Sequence, residues 1–148
     1  MPNKLLIVAA CGSALAALLH LACIVMGEPW YRLMGAGEQM ATLAAAGHPY
    51  PMLITSAISL VLLVWACYAL SGAGLIRPLP LRKTALVLIS LVLLARGLLF
   101  PLLMPAFPGN SMTFWYLSSA ICVLLGSCFA IGSWQSWQRL SQQQIFTL

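Results

Sequence analysis

The groups of this chain that could do chemistry are few: Glu28, Glu38, His20, His48 and an arginine, Arg96, set inside the apolar run Leu86 to Leu103. An arginine within hydrocarbon costs about 2.5–3.5 kcal/mol, so it needs a partner or a wet pocket. Glu28 and Glu38 are the only acidic side chains in the sequence, which leaves Arg96 two acidic choices. Glu38 is the expected partner, because the turn Gly35-Ala36-Gly37 lets its segment fold back over the mouth of a bundle. Arg32 then takes Glu28 or a lipid phosphate. Two uses of an Arg96–Glu38 pair stay open. It latches the segment to the bundle, or it is the resting state of a site whose anionic ligand displaces the carboxylate. A third reading has no pair at all, with Arg96 snorkelling to the headgroups unaided.

A rise of 1.5 Å per residue puts Arg96 about 18 Å into its helix and His20 about 10 Å below the end of the first one. Ser56 and Ser59 on the second helix and Ser119 on the fourth reach similar levels, with Tyr116 slightly higher. A candidate ligand-binding or latch set is therefore Arg96, Glu38, His20, Glu28, Arg32, Tyr31, Ser59 and Tyr116. Glu38 with His20 or His48 is an acid–base pair in principle. No nucleophile motif, Gly-rich phosphate loop or carboxylate cluster accompanies it, so no catalytic residue is assigned. The two histidines lack a metal-ligand spacing, and a lone His20 is thin support for haem, so no metal or cofactor is assigned. Cys11, Cys23, Cys67, Cys122 and Cys128 form no C-x-x-C and are expected to be small buried packing residues.

The elements that must position these groups are apolar. The chain is 62% hydrophobic and 6% charged over 148 residues. Runs at 5–27, 52–75, 84–104 and 112–134 each match the length of about 20 residues that crosses a bilayer core as a helix. Only helices and closed barrels satisfy the backbone in lipid, so the expected fold is an all-α integral membrane protein, a single domain of four transmembrane helices. The apolar core before Cys11 is too short for a cleaved signal segment, so the first helix is expected to stay uncleaved. With the N-terminus inside, Lys4, Arg77, Arg82, Lys83 and Arg139 fall on the cytoplasmic side and the carboxylates outside, the positive-inside pattern with both termini cytoplasmic. That pattern accounts for the net charge of +5, and the basic residues are too scattered for nucleic-acid binding. A four-helix drug exporter needs a carboxylate in helix one, and there is none. Small residues recur along Ser118, Cys122, Gly126 and Ala130, and along Ser13, Ala16, Ala17 and His20, as they do on helix-packing faces.

Between helices one and two lies an outer segment, 28–51, with Trp30 and Tyr31 placed for the headgroup boundary. One short amphipathic surface helix is expected from Glu38 to Ala46. Arg77-Pro78-Leu79-Pro80-Leu81-Arg82-Lys83 makes a stiff cytoplasmic turn over 76–83, Pro101 is expected to kink helix three, and the polar tail 135–148 prolongs helix four briefly before fraying. The stretch Trp30-Tyr31-Arg32-Leu33-Met34-Gly35-Ala36-Gly37-Glu38-Gln39-Met40 resembles a W-Y-R-x-x-G-A-G-E-x-M segment of small bacterial inner-membrane proteins with four helices. The resemblance implies that fold and membrane, treats Tyr31, Arg32 and Glu38 as a unit, and implies no activity.

The functional expectation is a non-enzymatic binding or accessory protein whose outer-leaflet polar pocket takes an anionic lipid or small hydrophobic ligand. A membrane-embedded enzyme acting on a lipid or quinone-like substrate is the alternative. A structural subunit, as a homo-oligomer or within a larger membrane complex, is the third.

Overall fold

The computed structural model describes residues 1–138, 140 and 141. Helices α1 (Lys4–Met26), α4 (Pro49–Ala73) and α7 (Met112–Gln135) are each long and apolar enough to cross a membrane. Between α1 and α4 the outer segment forms α2 (Glu28–Leu33) and α3 (Glu38–Ala45), two short helices where one was expected. Gly27, Gly35 and Gly37 have positive φ and supply the sharp corners that separate them.

The remaining span is broken. α5 (Arg82–Leu98) gives way to α6 (Phe100–Leu103) and a 3-10 turn at Met104–Ala106, with a bend of 75°. A continuous helix over 84–104 therefore does not form. Pro101 lacks an N–H and its ring excludes the carbonyl one turn back, so the ladder cannot cross it. The expected kink is thus a full break, and Arg96 stands in the last turn of α5 rather than inside a longer span. The connection before α5 is non-helical, as its prolines require, but Arg82 already belongs to the helix.

α1 packs most extensively on α4, and α5 on α7; α1 also contacts α7, which joins the two pairs into one bundle. Its core combines small residues, Ala9, Ala10, Ser13, Ala17, Ala66, Ala69 and Ala73, with the large Leu6, Leu86, Ile89 and Phe129, while Leu15, Leu18, Leu60, Leu91, Leu117 and Leu124 point outward. The small residues suit a lipid surround, where close backbone approach drives helix association. At Gly97 the approach is tightest: an added Cβ would lie 2.9 Å from the Ser119 carbonyl oxygen and 3.0 Å from the Val123 nitrogen. Gly126, on the small-residue stripe of α7, likewise receives Leu93 and Leu94 of α5.

The two ends of the bundle differ in charge. Glu28 and Glu38 lie at the end holding α2 and α3, the acidic end. Lys4, Arg77, Arg82 and Lys83 lie at the opposite, basic end. There Arg82 is buried, and its Nη1 donates to the Ser71 carbonyl at 3.0 Å, tying α5 to the end of α4. Asn3 caps α1 and donates through Nδ2 to the Gly132 carbonyl at 3.1 Å, tying α1 to α7. Arg139 and most of the polar tail lie outside the described residues. Two of the cysteines expected to be buried, Cys11 and Cys67, are exposed, because they fall on the outward faces of α1 and α4.

Candidate functional site

The acidic end is built around Tyr31, which was expected at the headgroup boundary and is instead inside, only 3% exposed. Its ring packs with Cys23 of α1 and Ala41 of α3. Its hydroxyl accepts a hydrogen bond from Thr55 Oγ1 of α4 at 3.3 Å, and Ser59 Oγ donates to the Thr55 carbonyl at 2.9 Å. The next residue, Arg32, turns the other way, to the surface. Its Nε donates to Glu38 Oε2 at 3.0 Å and its Nη2 to Glu38 Oε1, a fork of two parallel bonds. Nη1 pairs with Glu28 one turn back on α2.

Glu38 is therefore the partner of Arg32, not of Arg96. Only six residues and a glycine turn separate the two, and so short a loop closes at small entropic cost. The hydrogen bonds and charge of Arg32 hold the Glu38 carboxyl below its ordinary range. Conversely, the Glu38 hydrogen bond, helped by the charge of both carboxylates, holds the Arg32 proton more tightly than usual. The outer segment is still latched to the bundle, but by other groups. Asn110 Nδ2 donates to the Gly35 carbonyl at 3.1 Å, and the Phe114 ring lies against Gly35, where no Cβ would fit.

Arg96 stands apart in the seam between α5 and α7. Its guanidinium carbon is 5.2 Å from the centroid of the buried Trp115 ring. Its Nη2 reaches Ser118 Oγ at 3.5 Å, the weak limit of a hydrogen bond. Its Nη1 is shielded from solvent and has no hydrogen-bond partner among the described residues, as is Ser119 Oγ one position along α7 from Ser118. Trp115 is held in turn by Phe100 of α6, stacked at 6.3 Å, and by Phe114 at 5.7 Å edge-on. The 75° break that shortens α5 is what brings Phe100 back over Trp115. Comparison with known proteins identifies nothing: no family model matches the chain, and no curated protein or solved structure is significantly similar to it.

The candidate residues thus divide into separate places. Arg32, Glu28 and Glu38 form one cluster at the surface. Tyr31 and Ser59 meet through Thr55 in the interior. His20 bonds only its own helix, Nδ1 to the Ala16 carbonyl at 2.7 Å, which is the packing role. Tyr116 faces outward and meets Phe100 edge-on at 5.7 Å. Ser56, placed by depth with Ser59, is exposed at the edge of the buried face of α4 and joins no part of the site. Among the described residues no group of three or more His, Cys, Asp or Glu side chains converges for a metal.

Trp115 and Arg82 are the functional-looking residues that composition and depth did not single out. The triplet Phe114-Trp115-Tyr116, facing a proline break, was the available sign of the first. The carbonyls at the end of α4, which have no partner further along the helix, were the sign of the second, since cations favour helix C-termini.

What the Arg96 seam can do follows from charge. Both side-chain carboxylates of the chain are committed to Arg32, so no acidic side chain remains for Arg96. The cation–π contact contributes roughly 0.5–2 kcal/mol, against a cost of roughly 2.5–3.5 kcal/mol for an arginine at the centre of a membrane helix that falls toward a helix end such as the last turn of α5. The negative end of the α5 dipole adds a little. An anion arriving from the surrounding lipid would complete the balance.

Proposed function

We propose that this polytopic membrane protein is a binding or accessory protein that holds an anionic amphiphile, a phosphate- or carboxylate-bearing lipid, at Arg96. The observation that carries this reading is the commitment of Glu28 and Glu38 to Arg32, which leaves Arg96 with an aromatic face, a distant hydroxyl and an unpartnered Nη1. Arg96 anchors the anion, Trp115 fixes the guanidinium plane, and the outward Leu99 and Val92 flank an acyl chain. Both side-chain carboxylates are held by Arg32 away from this seam, which favours binding over acid–base catalysis there. The charge difference between the ends supports a bacterial inner membrane with the basic end cytoplasmic and the Arg96 seam toward the outer leaflet.

Native mass spectrometry of the full-length protein with phosphatidylglycerol tests this. Arg96→Ala is expected to lose one bound lipid per chain, and Arg96→Lys to retain part of the affinity, because lysine keeps the charge but not the planar fork. Equal lipid occupancy in wild type and Arg96→Ala would overturn the reading.

A further inference from the structure

A second groove lies at the other end of the same helix pair. Val87 and Ser90 of α5 face Ala130, Ser133 and Trp134 of α7 across a space of about 320 Å³ that Trp137 also lines, toward the basic end. Ser133 is buried, yet its Oγ has no hydrogen-bond partner among the described residues. Ser59 and Ser141 show the usual alternative, each turning back to the carbonyl four residues earlier in its own helix. Ser133 does not, and its unpartnered hydroxyl lies in a residue that lines an apolar slot. At the mouth, Lys83 Nζ sits 3.7 Å over the Trp137 ring and 3.0 Å from Ser141 Oγ. Its charge has no side-chain counter-ion, because both carboxylates of the chain are at the opposite end.

We infer that this groove binds one anionic glycerophospholipid from the leaflet at the basic end. The phosphate meets Lys83. One helical turn deeper, an ester carbonyl accepts the Ser133 hydroxyl hydrogen. The acyl chain then runs past Val87 and Ser90, with Ala130 leaving the room for it. The vertical order of cation, hydroxyl and apolar wall repeats the order of phosphate, ester and chain in such a lipid. Lys83 lies one turn from Val87, and Trp137 one turn from Ser133, so both walls change character at the same depth, about 6 Å in. Trp134, 78% exposed, forms the outer lip at the level where indole rings favour the membrane boundary. The slot and Lys83 together select an amphiphile of negative charge over a free anion, which would leave the slot empty.

The test uses the full-length Arg96→Ala protein in mild detergent, so that the seam at the other end is silent whether or not it binds lipid. Phosphatidylglycerol, phosphatidylcholine and inorganic phosphate are titrated separately, and occupancy is read by native mass spectrometry. Phosphatidylglycerol is expected to bind at one per chain and to be displaced by neither of the others at equal concentration. Lys83→Gln should weaken it about fivefold, the worth of one surface cation at an anionic headgroup. Ser133→Ala should weaken it about threefold, as for one lost hydrogen bond, while the lipid-free protein melts at the same or a higher temperature, since an unpartnered hydroxyl has gone. A purely structural Ser133 would not give that opposed pair of effects. Unchanged phosphatidylglycerol affinity in both variants would overturn the inference, as would equal affinity for phosphatidylcholine. Should Ser133→Ala lower the melting temperature, the Lys83→Gln affinity alone decides.

Discussion

The two helix pairs of this bundle treat their polar groups in opposite ways. In the α1–α4 half, the polar side chains at the acidic end close on one another: Thr55 on Tyr31, Ser59 on the Thr55 carbonyl, and Arg32 on both carboxylates. In the α5–α7 half, Arg96 Nη1, Ser119 Oγ and Ser133 Oγ are buried with no partner among the described residues. Buried donors without acceptors cost about 1–3 kcal/mol each, so the second half carries a standing penalty that the first does not. One half has completed its own hydrogen bonding at the acidic end. The other, although Ser90 and Ser118 bond within their own helices, keeps three buried groups without a partner among the described residues, which is what the proposed binding role requires.

The comparison breaks most visibly at Tyr31. Truncating a buried aromatic side chain costs about 3–5 kcal/mol, so Tyr31→Ala should detach α2 and α3 from α1 and α4. Protease accessibility of the 28–47 segment would show the detachment, and a variant that stays protected would mean that Asn110 and Phe114 hold the segment alone.

A finer test sets one hydroxyl in each half against the other. Tyr31→Phe removes a satisfied partner of Thr55 and should cost about 1 kcal/mol. Ser119→Ala removes an unpartnered one and should leave thermal stability unchanged or raise it by about 1 kcal/mol. Melting temperatures in the same detergent give both signs, and a loss in both variants would erase the distinction between the halves.

The smallest effect is expected from pH. Because the folded-state Glu38 carboxyl sits below its ordinary value, the stability it contributes is fully present above that ordinary value and is lost only as pH falls through the depressed one. The emission of Trp30, on α2 beside Arg32, should therefore stay constant from neutral pH to about pH 5 and change only under stronger acid. Glu38→Gln should abolish that acid step. A change centred near neutrality would place the sensitive group elsewhere.

Much of the fold was legible because lipid leaves little choice. An apolar run of some twenty residues has to be a helix, and α1, α4 and α7 follow their runs closely. α5 was half legible: Pro101 announced a kink, but composition does not register how far a chain turns once the backbone ladder stops. The site was less legible, since depth along a helix says nothing about azimuth. Ser56 and Ser59 are one turn apart on α4, and yet one is exposed and the other buried. Glu38 was assigned to the cation that most needed a partner, whereas the nearer one, Arg32, reached it through a short turn. Tyr31 belongs to a helix of six residues, too short for any periodicity to tell its buried side from its exposed one.

The break at Leu99 also sets how this protein sits among its lipids. Straight α5 has 17 residues and rises about 25 Å, some 5 Å less than the hydrocarbon it has to match. Past the break the chain turns through 75° and carries the outward Leu102 and Phe107 sideways rather than onward. On that flank the hydrocarbon is met by a shorter span than on the flank of α4, a mismatch relieved by local thinning, by snorkelling of the flanking Arg96, Arg82 and Lys83, or by association with another helix. The unequal flanks make preferential partition into thinner membranes the expected outcome.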